Sequence, residues 1–280
     1  MSERPPESLA PARAVAVTRV SADGVARTTD MAATEEPLDV RLHGRSFAII
    51  MRTPGQDREL AAGFLMSERV IRSGDDLGAV EHCRHPDQTK THHVVNVFLR
   101  GDAAACVPAL LEKRRDLVAN SSCGVCGRAT IDELSSDLQP LDDARSVPLD
   151  VVRALPDRLR GTQRTFDETG GLHGAALFDA SGQLIGSAED VGRHNAVDKV
   201  FGALLLADAP PAPAVLVVSG RVSFEIVQKA WIGRVPILVA VSAPTTLAVT
   251  LADEAGVTLL GFVRGSGLNI YTHPARIAGV

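Results

Sequence analysis

The chain has 280 residues, 45% of them hydrophobic and 22% charged, which is enough apolar sequence for at least one substantial core in one or two domains. With 29 basic against 34 acidic residues, no overall positive field attracts nucleic acid or an anionic membrane surface. No apolar stretch reaches the length that crosses a bilayer. We therefore expect neither a nucleic-acid nor a membrane partner, and any anion-binding site has to be local.

The cysteine content and the amino-terminal sequence indicate a cytoplasmic protein. Four cysteines, of which only Cys123 and Cys126 are close in sequence, do not resemble a disulfide framework. The opening run SERPPESLAPARA is too polar for a signal peptide. Residues 1–35 are rich in proline, alanine, serine and charge, and they predict a flexible arm or an edge strand.

Residues 36–118 predict a small subdomain that mixes strands and a helix. The runs LDVRLHG and SFAIIMRT alternate as strands do and predict a hairpin that turns near Gly44. A helix is expected after Thr53-Pro54, because apolar residues recur there at helical spacing. A further strand is predicted within THHVVNVFLR, which ends at Arg100.

Residues 136–280 predict a second, larger α/β domain. GLHGAALFD and GQLIGSAED predict two strands, and NAVDKVFGALLLAD predicts the helix that follows them. Beyond a proline-rich break, apolar β-branched runs alternate with helical runs as far as VTLLGFV. This alternation predicts a mostly parallel sheet that is covered by helices on both faces.

The predicted strand ends suggest an anion site before any family is considered. In open α/β sheets, ligands bind beyond the carboxyl ends of the strands, where helix amino termini favour anions. The small or polar loops 219–221, 242–246 and 264–267 fall at such ends, and the loop 189–195 leads into a helix. Arginine in these loops suits a phosphate-bearing ligand. Two alternatives stay open: the glycines and serines only turn the chain, or the arginines form structural pairs with aspartate.

The pair Cys123 and Cys126 is compatible with three chemistries. Zinc requires further ligands, and the candidates His82, Cys83, His85 and His173 are scattered, so we expect no metal and no zinc. Disulfide exchange fits the pair itself, although the preceding segment predicts a helix and a polar loop rather than the strand of a thioredoxin-like unit. Persulfide carriage fits equally well, because Gly124 and Gly127 give the loop freedom to move. Sequence physics does not separate the last two.

Long motifs then identify a resemblance to a known family. The runs SSCGVCG, EDVGRHNAVDKVFG, SGRVSFEIVQKA, VPILVAVSAPTTLAV, TLLGFVRG and NIYTHP resemble the formate dehydrogenase accessory sulfurtransferases, the FdhD family. The resemblance extends from about residue 36 to residue 274. It implies a homodimeric sulfur carrier that accepts sulfur from a cysteine desulfurase. The carrier passes the sulfur to the molybdenum cofactor, bis-molybdopterin guanine dinucleotide, before this cofactor enters formate dehydrogenase.

The resemblance also assigns roles to residues. Cys123 would carry the persulfide, with Cys126 as its helper, on a mobile loop at residues 119–135. Residues 136–280 would resemble the cytidine deaminase fold and bind the cofactor, for which GDP is a mimic. The expected cofactor-binding residues are Phe262, Val263, Arg264, Gly265, Ser266 and Gly267, together with Arg193, His194, Ser219 and Arg221.

This chain departs from its relatives at Gly267, where an arginine is expected, so one phosphate contact is lost or supplied by another arginine. Nucleoside deamination is not expected, because LHGAAL lacks the glutamate of the H-x-E motif and the cysteine pair lacks its proline. The alternative function is a nucleotide-binding or cofactor-binding chaperone whose cysteines sense redox state without transferring sulfur.

Overall fold

The computed structural model describes residues 10–83, 93–115 and 139–280. The fold is mixed α/β, as the sequence predicts. The helices are α1 (Asp57–Ser67), α2 (Gly101–Arg115), α3 (Leu149–Arg160), α4 (Arg164–Thr169), α5 (Arg193–Leu205), α6 (Phe224–Ile232) and α7 (Thr246–Glu254). The strands are β1 (Ala12–Ser21), β2 (Gly24–Ala33), β3 (Glu36–Leu42), β4 (Arg45–Arg52), β5 (Leu77–His82), β6 (Val94–Leu99), β7 (Val147–Pro148), β8 (His173–Phe178), β9 (Leu184–Asp190), β10 (Val215–Val218), β11 (Ile237–Ala240), β12 (Thr258–Arg264), β13 (Gly267–Ile270) and β14 (Ile277–Ala278).

The segment predicted as an arm or edge strand contains a regular hairpin. β1 and β2 pair antiparallel from Ala12↔Ala33 to Ser21↔Gly24. Most of their residues are exposed on both faces, and the hairpin contacts α4. The composition predicts a loose chain, because it offers few side chains for a core. The two strands form nevertheless, because hydrogen bonds between them satisfy backbone N–H and C=O groups, which every sequence carries whatever its composition.

The first half folds as a four-stranded sheet with the order β4-β3-β6-β5. The predicted hairpin is confirmed, since β3 and β4 pair antiparallel, and the strand predicted in THHVVNVFLR is β6, which lies parallel to β3. The predicted helix after Thr53-Pro54 is α1. Strand β5, which pairs antiparallel with β6, was not predicted.

The second half is built on a six-stranded sheet with the order β13-β12-β11-β10-β8-β9. The prediction of a mostly parallel sheet is wrong, because only two of its five neighbouring pairs, β10–β11 and β11–β12, are parallel, whereas β8–β9, β8–β10 and β12–β13 are antiparallel. Two of the antiparallel pairs are hairpins closed by short turns, which can join only antiparallel neighbours.

Both faces of the six-stranded sheet are covered, as predicted, so this half has three layers. Alternate residues of β8 and β10, such as Leu177 and Leu216, face a core that includes buried residues of α5, α6 and α7. The intervening residues, such as Phe178 and Val217, face a second core that includes α3. The cytidine deaminase likeness stays an expectation.

The two halves share one core through the crossing of α1 and α5. Leu38 of β3 and Leu216 of β10 belong to the same buried cluster. At the crossing a Cβ on Gly63 would lie 1.8 Å from the carbonyl oxygen of Asp198, and one on Gly202 would lie 1.7 Å from that of Glu59. The helices therefore approach to backbone contact, which only glycine permits.

Several sequence predictions concern residues that the structure does not describe. Cys123, Cys126 and the loop predicted at residues 119–135 lie outside the described residues. The domain boundaries near residues 35, 118 and 135 stay predictions. No helix in the described part of the chain is long and apolar enough to cross a membrane.

Candidate functional site

The predicted anion-binding loops meet at one edge of the six-stranded sheet. β10, β11 and β12 run parallel, so the residues that follow them lie at the same edge. β8 runs antiparallel to β10, which brings its first residue, His173, to that edge, opposite Asp190 at the end of β9. We call this side of the sheet the carboxyl edge. Residues 193–194, 219–221 and 264–267 thus lie at the same edge, although the first and last of them are more than 70 positions apart in the sequence.

Three helices begin at the carboxyl edge. α5 follows β9, α6 follows β10 and α7 follows β11, so each starts where its strand ends. The first N–H groups of a helix lack intrahelical acceptors, and the helix dipole adds a partial positive charge there. Three such termini at one edge give a local field that favours an anion, although the whole protein carries a net charge of −5.

The centre of the carboxyl edge is a cationic cluster around Gly220. A Cβ on Gly220 would lie 3.3 Å from His173 Nδ1 and 3.7 Å from Arg193 Cδ, so both side chains border this glycine. Burial lowers the pKa of His173 below its usual value of 6.5, and the charges of Arg193 and Arg221 lower it further, against the opposing effect of Asp190. The imidazole is therefore neutral at pH 7, and an anion bound beside it would stabilise the protonated form.

Arg193 has a buried donor that suits an anionic ligand. It is the first residue of α5 and is half-buried, and its Nε is buried without a hydrogen-bond partner among the described residues. A buried donor without an acceptor costs free energy, and phosphate oxygens suit the guanidinium fork. Arg221, three residues before α6 begins, is exposed at the same edge.

The segment Phe262 to Gly267 forms the end of β12 and a tight hairpin into β13. Arg264 pairs with Gly267, and the two residues between them turn the chain, with Gly265 at a φ of 56°. Phe262 is the unusual residue, because it has a φ of 55° and still exposes 37% of its surface. An aromatic residue held in the left-handed region and left open to solvent is the kind of strain that functional sites retain.

The structure places three other predicted residues in more specific surroundings. Val263 is fully buried in the core on the α3 side, so only its backbone can meet a ligand. Ser219 Oγ accepts a hydrogen bond from the Gly174 N–H (2.9 Å), which fixes its hydroxyl between two strands. His194 points toward α6, where its Nε2 lies 3.2 Å from Ser223 Oγ. Ser223 was not predicted as a site residue, although it lies within the motif SGRVSFEIVQKA.

The loop that carries Arg193 and His194 is braced from the first half of the chain. Asp190 is fully buried and accepts hydrogen bonds from the backbone N–H groups of Thr53 (3.1 Å) and Gly192 (2.8 Å). Its charge is paired with Lys199 (2.8 Å), whose ammonium also donates to the Thr53 carbonyl (2.9 Å). The sequence left open a structural pair between arginine and aspartate at this loop. Asp190 pairs with Lys199 instead, so the guanidinium group of Arg193 stays available to other partners.

A second buried pair lies beneath the carboxyl edge, between α5 and α6. Lys229 donates to both carboxylate oxygens of Asp198, at 2.7 and 2.9 Å, and Ser67 of α1 donates to the same carboxylate at 2.6 Å. Burial alone would lower the pKa of Lys229, but the carboxylates of Asp198 and Glu225 outweigh it and raise the pKa above its usual value. The lysine is therefore charged, and its pair with Asp198 joins the two helices.

Comparison with known proteins places this arrangement in a family. The model of the FdhD/NarQ family matches residues 33–278, which is nearly the whole chain. The chain belongs to the FdhD/NarQ family.

Curated relatives in this family are similar over almost their full length. The "Sulfur carrier protein FdhD" of Streptomyces avermitilis is 46% identical over 268 residues, which cover 94% of this chain and 94% of that protein. The protein of the same name from Mycobacterium tuberculosis is 44% identical over 269 residues, covering 93% and 96% respectively. A crystal structure from Desulfotalea psychrophila, described as a formate dehydrogenase accessory protein, has a TM-score of 0.77 at 24% identity and covers 96% of this chain and 100% of that one. At that identity the crystal structure supports the fold alone.

Proposed function

We propose that this protein is a sulfur carrier for formate dehydrogenase maturation. It would accept sulfur from a cysteine desulfurase on Cys123 and deliver it to bis-molybdopterin guanine dinucleotide bound at the carboxyl edge. The observation that carries the proposal is the pair of cationic side chains Arg193 and Arg221, with the neutral His173 between the strands they follow, beside three helix amino termini. Membership of the family and the names of its curated relatives support the sulfur-carrying role.

The carboxyl edge has the chemistry that a dinucleotide cargo requires. Two phosphate groups need donors and positive charge, which Arg193, Arg221 and Arg264 offer together with backbone N–H groups of the adjoining turns. Guanine needs a flat apolar surface, and the exposed ring of Phe262 is available at the same edge. Because position 267 is glycine where the family resemblance predicts arginine, Arg264 is the arginine that this turn offers to a phosphate. We therefore expect Arg193 to contribute more of the phosphate binding.

The length of chain after the cysteine pair permits delivery to this edge. Cys126 precedes Gln139 by 13 residues, which span at most about 45 Å when fully extended. The Gln139 carbonyl accepts a hydrogen bond from Trp231 Nε1 (3.0 Å), near the edge where β11 and β12 begin. β12, with seven residues, is about 23 Å long. The tether is therefore long enough to cross the sheet to the carboxyl edge.

The loading step is a thiol exchange at sulfur. The Cys123 thiolate attacks the outer sulfur of the donor persulfide, the donor sulfur–sulfur bond breaks, and the donor leaves as a thiolate. Cys123 then holds the outer sulfur as a persulfide, and no net electron is gained or lost. Arg128 near the pair and the amino terminus of the helix predicted after it would favour the thiolate form of the cysteine.

The proposal is tested by following sulfur on the intact protein. After incubation with a cysteine desulfurase and L-cysteine, mass spectrometry of the wild type should show the gain of one sulfur atom, which a reductant removes. Cys123→Ala should abolish the gain. Cys106→Ala is the matched control, because Cys106 is an exposed thiol far from the pair in sequence. No gain in the wild type would favour the alternative of a redox-sensing, nucleotide-binding chaperone.

Cargo binding is tested separately by calorimetry with GDP. We expect Arg193→Ala to weaken GDP binding by about 1–3 kcal/mol, the range for hydrogen bonds to a charged group. Arg264→Ala should cost less, because its side chain is exposed and partly solvated. Arg153→Ala, an exposed arginine of α3 on the opposite face of the sheet, is the control. Equal affinities in all three variants would contradict an anion site at this edge.

A further inference from the structure

A Ser–His–Glu arrangement spans the amino termini of α5 and α6 at the carboxyl edge. His194 Nε2 lies 3.2 Å from Ser223 Oγ, and His194 Nδ1 lies 3.5 Å from Glu225 Oε2. The side chains of His194 and Glu225 are only 16% and 13% exposed, so they are held within the fold. Ser223 is half-buried. A hydroxyl, an imidazole and a carboxylate in this order are the parts of an activated nucleophile.

The carboxylate fixes the direction of the proton in this arrangement. In the neutral imidazole one nitrogen carries a proton and the other accepts. A proton on Nδ1 faces the Glu225 carboxylate, so Nε2 is the acceptor and Ser223 Oγ donates to it. The hydroxyl oxygen then keeps both of its lone pairs, which the bond to His194 does not use.

Ser223 does not perform the usual task of a serine at its position. It is the N-cap of α6, yet its side chain makes no capping hydrogen bond. Thr245, the N-cap of α7 at the same edge, does cap its helix, since its Oγ1 accepts from the Ala248 N–H (3.2 Å). A serine that forgoes a capping bond, which is typically worth about 1 kcal/mol, has its hydroxyl committed to His194 instead.

Glu225 is itself held in place by the buried pair described above. Its other oxygen, Oε1, lies 3.6 Å from Lys229 Nζ, and Lys229 is bound to Asp198. The charge of Lys229 therefore holds the carboxylate beside the imidazole. This is the role of the third member of such arrangements, which orients the base and stabilises its protonated form.

The surroundings of Ser223 provide a place for a developing negative charge. The first N–H groups of α6, those of Phe224 and Glu225, have no acceptor within the helix. An oxyanion formed on a substrate attacked by Ser223 would lie beside them. Arg221, exposed two residues before Ser223, adds a positive charge that favours a substrate bearing an acidic group.

From this geometry we propose that Ser223 is a nucleophile for acyl transfer, with His194 as its base and Glu225 as the positioning residue, acting on esters or thioesters that carry an anionic group. Ser223 Oγ forms a bond to the acyl carbon while its proton passes to His194 Nε2. The bond to the leaving group breaks, and His194 returns the proton to that group. Water then attacks the acyl carbon and gives a proton to His194, which passes it to Ser223 Oγ as the acid is released.

This activity does not use the cysteines, but its site shares His194 and Arg221 with the proposed cargo site, so it is tested on protein without GDP or cofactor. The full-length protein is treated with an alkyl fluorophosphonate, and the labelled residue is identified by peptide mass spectrometry. Hydrolysis of 4-nitrophenyl hydrogen succinate is compared with hydrolysis of 4-nitrophenyl acetate. We expect a label on Ser223 and faster hydrolysis of the anionic ester.

The variants separate chemistry from structure. Ser223→Ala should remove both the label and the hydrolysis. His194→Asn should slow labelling of Ser223 by about 100-fold or more, the contribution of a general base. Glu225→Gln should lower kcat by at least about tenfold with little change in KM, and Glu225→Asp should recover part of it. Melting temperatures are recorded for every variant, so that a loss of folding is recognised.

Ser73→Ala is the matched control. Ser73 is also a helical N-cap, but its hydroxyl accepts from the Asp75 N–H (3.3 Å) and thus performs ordinary capping. Labelling of Ser223 should be unchanged in this variant. The proposal is overturned if the wild type reacts no faster than the unfolded chain, if the label lies elsewhere, or if folded His194→Asn protein reacts at the wild-type rate.

Discussion

The contact between α1 and α5 allows a quantitative test of how tightly the two halves of the chain are joined. In Gly63→Ala the new Cβ would lie 1.8 Å from the carbonyl oxygen of Asp198, whereas real Cβ contacts are essentially never shorter than 3.0 Å. The helices must therefore separate by more than about 1 Å at the crossing, because a backbone carbonyl cannot rotate away as a side chain can.

The expected cost follows from two opposing effects. Overpacking of a close-packed interior costs about 1–3 kcal/mol, and a clash with backbone belongs at the upper end of that range. Alanine gains back about 1 kcal/mol of helix propensity over glycine. We therefore expect the free energy of unfolding to fall by about 2 kcal/mol. For a chain of this size that corresponds to a fall in Tm of about 4–8 °C.

The assay is thermal and urea unfolding followed by circular dichroism. Gly186→Ala is the control, because a Cβ at Gly186 in β9 would meet nothing within 4 Å. A Tm for Gly63→Ala equal to that of the control variant would refute the reasoning, since the helices would then have room that the structure does not show. The separation should also weaken the hydrogen bond between Ser67 and Asp198, which spans the same crossing.

Three further results are expected. Asp198→Asn leaves the buried ammonium of Lys229 without its full counter-charge and should cost about 3–5 kcal/mol in urea unfolding, whereas the double change Asp198→Leu, Lys229→Met should restore most of it. His173 should titrate below 6.5 by NMR, because its pKa is lowered by burial. Saturating GDP should raise that pKa, so GDP should bind more tightly as the pH falls and His173 becomes protonated. The variant His173→Gln should lose this pH dependence. Phe262→Gly and Phe262→Ala remove the same ring and should both weaken GDP binding, but only glycine relieves the positive φ, so Phe262→Gly should unfold with a free energy about 1 kcal/mol higher than Phe262→Ala, and equal stabilities would mean that the backbone there is unstrained.

Local patterns predicted most of the elements, because each depends on residues that are close in sequence. The hairpin of β3 and β4, the helix α1 and the alternating elements from β8 to β12 all follow apolar periodicity. Helix α3 was missed, although Val152, Leu155 and Leu159 form its buried stripe, because Pro156 lies inside it. Strand β13 was missed as well, even though Gly265-Ser266 is a short turn signal of the kind that joins two strands.

The sequence by itself determined that small, arginine-bearing loops follow successive strands, and therefore that an anion site would lie where those strands end. The order and direction of the strands were decided only by the tertiary structure, because pairing between distant segments depends on which faces they bury together. That order places His173 beside Arg193, joins Thr53 to Asp190, and brings Ser223 and Glu225 to His194. Residues 20 or more positions apart share no periodic pattern, so packing alone brings them together.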